Sequence, residues 1–489
     1  MAIIPLGDIL QHHARSRPAG MPAVVYPGAT LTWGELDEQA GRWASQYRSR
    51  GVEQDDMVAI ALNNGPAHHA AAFAAWKAGA TPMLVSPRLP VHEFEAVIRL
   101  AAPKLIVNDA AVPGADAMAS ATRSVGVPTY WKAVCSGGST GQPKVIVDHM
   151  RGEYDPSAPG LHSVLQIPAN GVMLNPGPLY HNGPFLFSSL GLFVGCTLVG
   201  MERFDPEEAL RLIEAHRVNW VSFVPTMMHR IWSLPASVRD RYDLSSLKIM
   251  LHMAAPCPAW LKQAWIDWLG GERIWEIYAG TEGYGATFIR GDEWLERRGS
   301  VGRPVRAQIR AMNDAGETCE PGEIGELYFL PDNGASPSHY LGAETRRDSS
   351  GWVSIGDLGH LDADGYVYLA DRRMDLIIRG GANIYPAEIE AALDQHPAVA
   401  SSIVIGVPDE EMGARVHAIV EPVSGAQLDI EDLHAHLAGH LAKYKLPESY
   451  EISAAPLRDD TGKARRSALR DERTRWMQEG RAFKVSRSG

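Results

Sequence analysis

A glycine-rich segment near residue 140 carries the densest set of residues that could do chemistry. It runs Cys135-Ser136-Gly137-Gly138-Ser139-Thr140-Gly141-Gln142-Pro143-Lys144. Small residues let the backbone approach a ligand closely, and successive N–H groups in such a loop form an anion-binding concavity. Serine and threonine hydroxyls add donors, and the lysine adds a positive charge. The composition therefore predicts a polyphosphate site made by Ser136, Gly137, Gly138, Ser139, Thr140, Gly141 and Lys144.

Two established motifs are alternative interpretations of this glycine-rich segment. The Walker A pattern does not fit, because Pro143 occupies the position of the glycine that precedes its lysine. The stretch 137–141 also fits G-x-S-x-G, the nucleophile elbow of serine hydrolases, with Ser139 as the nucleophile. That elbow needs a helix to begin at its serine, whereas Pro143 and the β-branched run Val145-Ile146-Val147 predict a loop and then a strand. A serine hydrolase and a plain surface loop are therefore the weaker alternatives.

Further segments place polar residues of the same kind along the rest of the chain. Taken singly, each is explained by a turn, a helix cap or a solvated charge. In chain order they are Tyr278-Ala279-Gly280-Thr281-Glu282-Gly283, Pro321-Gly322-Glu323-Ile324-Gly325-Glu326-Leu327, Ser354-Ile355-Gly356-Asp357, Asp371-Arg372, Arg379-Gly380-Gly381-Ala382-Asn383-Ile384-Tyr385-Pro386 and Pro456-Leu457-Arg458-Asp459-Asp460-Thr461-Gly462-Lys463.

The overall composition is that of an ordinary soluble globular protein. The chain has 489 residues, 45% of them hydrophobic, and carries a formal net charge of −12. The length predicts more than one domain, and the acidic balance argues against nucleic-acid binding, which needs a basic surface. Four cysteines without a C-x-x-C pair predict neither a disulfide framework nor a zinc site, and no signal peptide is recognisable. We therefore expect a cytoplasmic protein.

The hydrophobic pattern predicts an α/β fold that would position these segments. Short apolar runs, such as MVAIAL from Met57, alternate with amphipathic stretches, such as the helix predicted from Phe204. The uncharged stretch 182–201 is long enough to cross a bilayer, but its glycines and serines favour a buried helix and strand instead of a membrane span. From about residue 300, turn-forming segments separate short strands, and a smaller αβ unit follows Asp371-Arg372-Arg373.

Two histidine pairs could in principle bind a metal ion. His436 and His440 are spaced i, i+4 on a predicted helix, and His68 directly precedes His69. No third ligand accompanies either pair in the sequence. Both pairs are therefore interpreted as parts of exposed helix faces.

The order and content of the polar segments resemble the adenylate-forming superfamily of acyl-CoA synthetases, firefly luciferase and peptide-synthetase adenylation domains. The resemblance covers essentially the whole chain. Within the superfamily the chain is most similar to bacterial CoA ligases of the bile-acid-CoA ligase type. The segments that carry this finer similarity are Leu179-Tyr180-His181-Asn182-Gly183-Pro184-Phe185 and Ala370-Asp371-Arg372-Arg373.

The resemblance implies an α/β architecture with two unequal parts. A large N-terminal lobe of layered α/β subdomains, with a small β-barrel-like part, would bind ATP and the acid over residues 1–371. Residues 372–375 would form a hinge. Residues 376–489 would form a small, mobile α+β domain that carries the catalytic lysine.

The resemblance also implies a two-step reaction with ATP, Mg²⁺ and CoA. A carboxylate attacks the α-phosphate of ATP to give acyl-adenylate and pyrophosphate, and the CoA thiol then displaces AMP. Lys463 would bridge the carboxylate and the α-phosphate, and Thr281 would hydrogen-bond the α-phosphate. Glu282 would bind Mg²⁺, a hard cation that prefers oxygen ligands.

The same resemblance implies binding roles for other positions. Tyr278 would stack near the adenine, Asp357 would accept both ribose hydroxyls, and Arg372 would donate to the ribose. The loop Gly380-Gly381 would line the thiol tunnel after the small domain rotates. The hinge position holds Met374, where the family usually has Asp or Lys, which weakens the expectation of a complete CoA half-reaction.

A group of small and polar residues is expected to surround the acid. The stretch Tyr180-His181-Asn182-Gly183 lacks the aspartate with which peptide-synthetase domains hold an ammonium group, so an α-amino acid is not expected. Small side chains leave room for a bulky cyclic or aromatic acid. His181 could orient the carboxylate, and a packed core histidine explains it equally well. The expected pocket residues are His181, Asn182, Gly183, His252, Ala254, Ala255 and Gly280.

The acceptor of the acyl group is left open by the sequence. The CoA thiol is the first hypothesis, and an amine, which would give an amide, is the alternative suggested by Met374. The expected partners are small molecules, namely the acid, ATP and CoA or an amine. The sequence leaves the oligomeric state open, with a homodimer as the candidate assembly.

Overall fold

A computed structural model of the protein describes residues 2–109, 123–137, 143–459, 462–481 and 485–486. The α-helices in these ranges are α1 (Ile9–Ser16), α2 (Trp33–Ser49), α3 (Pro66–Lys77), α4 (Val91–Ala101), α5 (Leu161–Val164), α6 (Asn182–Phe193), α7 (Pro206–His216), α8 (Pro225–Trp232), α9 (Ala236–Arg239), α10 (Ala259–Leu269), α11 (Gly291–Glu296), α12 (Pro386–Leu393), α13 (Ile430–Ala438) and α14 (Arg466–Gln478). The strands are β1 (Ile4–Pro5), β2 (Pro22–Tyr26), β3 (Ala29–Thr32), β4 (Met57–Ala61), β5 (Thr81–Leu84), β6 (Leu105–Asn108), β7 (Lys132–Gly137), β8 (Pro143–Asp148), β9 (Glu153–Tyr154), β10 (Val172–Asn175), β11 (Thr197–Gly200), β12 (Trp220–Phe223), β13 (Ile249–His252), β14 (Ile274–Ala279), β15 (Ala286–Arg290), β16 (Ser300–Val305), β17 (Ala307–Met312), β18 (Gly325–Pro331), β19 (Ser338–Leu341), β20 (Arg346–Arg347), β21 (Val353–Leu361), β22 (Val367–Arg372), β23 (Ile377–Arg379), β24 (Ala382–Ile384), β25 (Val399–Asp409), β26 (Gly413–Pro422), β27 (Ser449–Ile452) and β28 (Val485–Ser486).

Two layered sheets build the N-terminal lobe. The first has the order β19-β8-β7-β5-β4-β6, in which β7, β5, β4 and β6 run parallel. The second contains the parallel series β2-β11-β10-β12-β13-β14. Parallel strands are covered on both faces, which explains why they appear in the sequence as short, nearly continuous apolar runs.

The second sheet continues into an antiparallel region that bears the nucleotide-site strands. After β14 the order is β15-β16-β22-β21-β18-β17, with β20 paired to β21. Within the described residues β17 and β3 end the sheet, so the barrel-like part expected from the resemblance is an open sheet. The α/β architecture with a separate C-terminal domain is confirmed.

The stretch 182–201 forms a buried helix and strand, as predicted. Helix α6 is buried along most of its length, and all four residues of β11 are buried in the parallel sheet. Among the described residues, no helix combines the length and apolar character needed to cross a membrane. A stretch without charges is expected here, because this segment lies at the centre of the lobe.

The C-terminal residues form their own core. Strands β25, β26, β27 and β28 make one sheet, β23 and β24 make a hairpin, and α12 and α13 pack together. Ile389, Leu393, Leu433 and Leu437 are buried between these elements. The described part of the domain therefore has a hydrophobic core separate from that of the N-terminal lobe.

The predicted exposure of one histidine pair was wrong. His68 and His69 are buried in α3, where His69 shares a 2.9 Å hydrogen bond with the hydroxyl of Tyr26. Burial lowers the pKa of His68 to about 4 and that of His69 to about 3. Helix α3 is buried on all sides, so it shows no apolar stripe from which its inner face could be predicted.

Asp394 is expected to make stability depend on pH. It ends α12, its carboxylate accepts a 2.7 Å hydrogen bond from the hydroxyl of Ser402, and burial raises the pKa of Asp394 from 3.8 to about 7. The folded protein thus keeps a proton that the unfolded chain loses, so stability falls as pH rises between these two values. Asp394→Asn should abolish this fall and raise the free energy of unfolding by about 1–2 kcal/mol at about pH 8.

The measurement is urea unfolding of both proteins at about pH 5.5 and about pH 8. Asp429→Asn serves as the control, because Asp429 accepts a hydrogen bond at the opposite, N-terminal end of a helix, α13. The control should not gain stability at either pH. An equal pH dependence in Asp394→Asn and the unsubstituted protein would contradict the prediction.

Candidate active site

A cavity of about 2220 Å³ lies between the carboxyl ends of the parallel strands, the antiparallel strands and the C-terminal domain. Ligands of layered α/β proteins commonly bind outside the carboxyl ends of the strands. The structure brings most of the predicted residues to this cavity. Those that border it are Lys144, His181, Asn182, Gly183, Ala254, Ala255, Tyr278, Gly280, Thr281, Glu282, Asp357, Arg372, Met374 and Lys463.

Asp357 is the centre of one polar cluster at the cavity wall. The hydroxyl of Tyr278 donates a 2.7 Å hydrogen bond to one oxygen of Asp357, and Nε of Arg372 lies 3.3 Å from the other. Strand pairing explains the second contact, because Asp357 on β21 is the register partner of Arg372 on β22. Burial raises the pKa of Asp357, while the charge of Arg372 opposes this rise. The cluster therefore holds an acceptor with a fixed orientation.

Glu282 is the centre of a second cluster, on the turn after β14. The hydroxyl of Tyr340 donates to Oε1 of Glu282, and Nζ of Lys144 lies 3.7 Å from the same oxygen. The hydroxyl of Ser338 donates a 2.7 Å hydrogen bond to the main-chain oxygen of Glu282. A Cβ at Gly280 would lie 2.8 Å from Oε2 of Glu282, so a larger residue there would displace this carboxylate.

Lys463 enters this cavity from the C-terminal domain. Its main-chain N–H donates a 3.1 Å hydrogen bond to Asp459, and the neighbouring Gly462 is buried against the N-terminal lobe. A Cβ on Gly462 would lie 3.0 Å from Oγ1 of Thr226. The Lys463 side chain stays open to the water of the cleft, yet surrounding protein and the charge of Arg372 lower its pKa. Glu282 and Lys144 also act on this charge, so both clusters and the lysine belong to one site.

The connection between the lobes is anchored on both sides of Met374. Arg373 pairs with Glu326 of the N-terminal lobe at 2.8 Å, and Asp375 pairs with Arg466 of α14 at 3.2 Å. Met374 lies between these anchors with 39% of its surface exposed. A further contact crosses the connection, because Asp371 accepts a 2.9 Å hydrogen bond from the N–H of Ala387 at the start of α12.

The part of the cavity away from the charged clusters is lined by α6 and the loop after β13. A Cβ at Gly183 would lie 2.9 Å from Cε of Met253, so the helix and the loop meet closely there. Ala254 adopts a positive φ of 73° and is exposed to the cavity. Oδ1 of Asn182 is buried without a hydrogen-bond partner among the described residues. This part of the site offers apolar walls and few polar groups.

Family comparisons agree with this arrangement of nucleotide-type clusters and a lysine-bearing second domain. A model described as AMP-binding enzyme matches residues 10–131 and 134–334. The chain belongs to the AMP-binding enzyme family. A second model, AMP-binding enzyme C-terminal domain, matches residues 388–463. The superfamily recognised in the sequence is thereby confirmed.

Individual relatives of this AMP-binding enzyme align over nearly their whole length. Feruloyl-CoA synthase of an Amycolatopsis species is 33% identical over 92% of this chain and 95% of that protein. The structure of o-succinylbenzoate CoA synthetase from Bacillus subtilis, in complex with the acyl-adenylate intermediate OSB-AMP, is similar with a TM-score of 0.79 and 26% identity, covering 96% of this chain and 99% of that chain. The amide bond synthetase McbA of Marinactinospora thermotolerans shares the fold, with a TM-score of 0.77, 23% identity and coverage of 96% and 99%.

Some predicted residues of the AMP-binding enzyme do not reach the cavity. His252 lies behind the wall, fully buried, with Nδ1 3.9 Å from Oε1 of Glu276, which in turn pairs with Lys262 at 2.5 Å. Burial lowers the pKa of His252 to about 4. Gly380 and Gly381 form the turn of the hairpin β23–β24 and do not border the cavity.

The glycine-rich segment lies only partly within the described residues. Gly138, Ser139, Thr140 and Gly141 lie outside the described residues, and Ser136 and Gly137 are described as main chain within β7. Strand β8 begins at Pro143, as the β-branched run after it predicted. A nucleophile elbow requires a helix at that place, so the local structure does not support a serine hydrolase.

Tyr340 is a site residue that the sequence did not reveal. It contacts Glu282 through its hydroxyl, and its ring lies 4.5 Å from Nζ of Lys144. Burial, together with the charge of Glu282, raises the pKa of Tyr340. Strand β19 brings it there by pairing with β8, a contact between residues almost 200 positions apart. No spacing pattern in the sequence indicates such a pairing.

Proposed function

We propose that this enzyme activates a carboxylic acid as its acyl-adenylate, with release of pyrophosphate, and then transfers the acyl group to the thiol of CoA. The observation that carries the proposal is the position of Lys463 in the cleft, where it faces the clusters of Glu282 and Asp357. A cationic amine there can hold the acid carboxylate and the α-phosphate together and offset the negative charge of the transition state.

The residues around the cavity suit the nucleotide. Lys144 and the N–H groups of the preceding loop would bind the β- and γ-phosphates, and Thr281 would donate to the α-phosphate. An ionised carboxylate accepts hydrogen bonds without donating any, so Asp357 fits two ribose hydroxyls. Tyr278 and Arg372 hold that carboxylate in place at 2.7 Å and 3.3 Å.

The residues also fit a magnesium ion brought by ATP. Mg²⁺ usually takes one or two protein carboxylates and completes its shell with phosphate oxygens and water. Glu282 supplies such a carboxylate, with Oε1 engaged by Tyr340 and Lys144. When bound, the ion would neutralise phosphate charge and make pyrophosphate a better leaving group.

Asp357→Asn is predicted to weaken nucleotide binding by about 10- to 100-fold, which corresponds to about 1.5–3 kcal/mol for hydrogen bonds to a charged group. The amide keeps the shape of the side chain but places an N–H₂ group where an acceptor is needed. Titration calorimetry with AMP measures the effect directly. Asp364→Asn is the control, because Asp364 pairs with Arg297 on the surface at 2.5 Å. Equal affinities of the two variants would contradict the role given to Asp357.

A bulky cyclic or aromatic acid is the proposed substrate class. The walls of the cavity near α6 are formed by Phe187, Leu190 and Met253, with glycine and alanine at Gly183 and Ala254. The relatives support this class, since their names specify feruloyl and o-succinylbenzoate groups, both of which are aromatic. His181 borders the cavity at the start of α6, where it could orient the carboxylate.

The two half-reactions are proposed to use two positions of the C-terminal domain, 376–489, relative to the N-terminal lobe, 1–371. The hinge would be 372–375, with Met374 as the pivot, because Arg373 and Asp375 are anchored to opposite lobes. In the described position Lys463 is in the cleft and Gly380-Gly381 is outside it. This is the arrangement expected for adenylate formation.

One experiment tests the function. Pyrophosphate release should require both ATP and a bulky or aromatic acid, and mass spectrometry with CoA should detect the thioester. Release without thioester, but with an amide when amines are supplied, would replace the CoA assignment by the amide ligase alternative. No release across a broad panel of acids would refute adenylate formation.

A further inference from the structure

One face of α6 borders the cavity along the whole helix. Gly183, Leu186, Leu190 and Phe193 recur at helical spacing, and each of them lines the cavity. At a rise of about 1.5 Å per residue, the distance from Gly183 to Phe193 is about 15 Å. The pocket beside α6 therefore extends well beyond the space that a single aromatic ring fills.

The far end of this pocket is polar. The ring of Tyr154 lies 6.1 Å from that of Phe193 and 6.0 Å from that of His162, and both Tyr154 and His162 border the cavity. Neither the hydroxyl of Tyr154 nor the imidazole of His162 forms a hydrogen bond with another described residue. Two hydrogen-bonding groups thus stand at the end of a mainly apolar wall.

The charges at the Tyr154–His162 end of the pocket determine which ligand groups can bind there. Burial lowers the pKa of His162, so the imidazole is neutral near pH 7 and offers one donor and one acceptor. Glu153 and Asp155 flank Tyr154 and also border the cavity. Arg151 pairs with Glu153 at 3.4 Å, so Asp155 is the carboxylate that opposes a second negative charge on the ligand. A neutral hydroxyl can both donate and accept at this place.

We propose that Tyr154 and His162 bind a neutral hydroxyl group at the end of an elongated acid distal to its carboxylate. The inference rests on the proposed acid activation and specifies its substrate class. The carboxylate lies toward Lys463, the apolar body lies along α6, and the hydroxyl reaches the Tyr154–His162 pair. Both side chains are half-buried, so water reaches them in the free protein, and a ligand that displaces this water without replacing its hydrogen bonds loses affinity.

Three stilbene-4-carboxylates of equal length test the proposal, namely the 4′-hydroxy, unsubstituted and 4′-carboxy acids. The measurement is kcat/KM for pyrophosphate release. We expect the 4′-hydroxy acid to exceed each of the other two by about tenfold or more, as one well-made hydrogen bond allows. A ratio near one between the 4′-hydroxy and unsubstituted acids would overturn the proposal, and so would turnover of benzoate-sized acids without turnover of any stilbene acid.

Two variants test whether Tyr154 and His162 cause the preference for the 4′-hydroxy acid. Tyr154→Phe and His162→Leu should each bring the ratio between the 4′-hydroxy and unsubstituted acids toward one. Tyr328→Phe removes the same atom from a tyrosine on β18 outside the cavity and should keep the ratio of the unsubstituted protein. A ratio that persists in both pocket variants would overturn the assignment. Failure of the proposed function is distinguishable, since then no acid of any length would release pyrophosphate.

Discussion

Lys463→Ala is expected to lower the rate of pyrophosphate release by about 10²–10³-fold, the cost of removing a preorganised group that stabilises developing charge. In the structure the charge of Lys463 interacts with Glu282, Lys144 and Arg372. No other described lysine of the C-terminal domain borders the cavity. The measurement is pyrophosphate release with ATP and a saturating acid. Since we propose that the lysine serves the first half-reaction, conversion of supplied acyl-adenylate to thioester should be much less affected.

Lys443→Ala is the matched control for this experiment. Lys443 belongs to the same domain and is exposed, but it does not border the cavity. Its removal should leave pyrophosphate release unchanged. A Lys463→Ala protein with normal pyrophosphate release, or a control with the same loss, would show that the lysine in the cleft does not act on the first step.

The second large effect is expected for Glu282→Gln. The amide keeps an oxygen that can accept from Tyr340 but lacks the charge that a magnesium ion requires. We expect pyrophosphate release at fixed Mg²⁺ to fall by about 10²-fold, consistent with loss of several kcal/mol of charge stabilisation. Titration of Mg²⁺ at constant ATP should show a higher half-saturating concentration, which separates a metal-binding defect from misfolding.

Glu344→Gln provides the comparison, because Glu344 is an exposed carboxylate that borders the same cavity. In the described part of the chain it forms no hydrogen bond or ion pair with Lys144 or Tyr340, so its Mg²⁺ dependence should match that of the unsubstituted enzyme. Superimposable Mg²⁺ curves for Glu282→Gln and the unsubstituted enzyme would remove Glu282 from the metal site. Tyr340→Phe, which keeps the carboxylate, should retain the Mg²⁺ requirement.

Much of the site could be predicted because its residues lie in short contiguous segments. Tyr278, Gly280 and Glu282 belong to one strand and turn, so their proximity follows from the local chain. Lys144 lies on the strand that directly follows the glycine-rich loop. The residue types of the glycine-rich segment indicate phosphate binding before any fold is known, whereas the metal role of Glu282 was implied by the family resemblance.

Other features of the site depend on contacts between residues that are far apart in the sequence. Tyr340 reaches Glu282 only because β19 pairs with β8. His252 is buried beside Glu276, its register partner on β14, which in turn pairs with Lys262 of α10. The Tyr154–His162 pair becomes a pocket end only through its position beside Phe193. In each case the neighbours are distant in the chain and have no spacing that predicts them.

The amino-acid sequence by itself determined the α/β class, the family and the nucleotide-type segments, because hydrophobic periodicity and contiguous polar motifs are local properties. The tertiary structure decided which of those residues share one cavity, and that Lys463 rather than Gly380-Gly381 faces it. It also decided how far the cavity extends along α6 and which polar groups border it there. Which residues share a cavity depends on packing between elements that are far apart in the chain. What a side chain can bind is then determined by its burial and its distance from other groups, and not by its residue type alone.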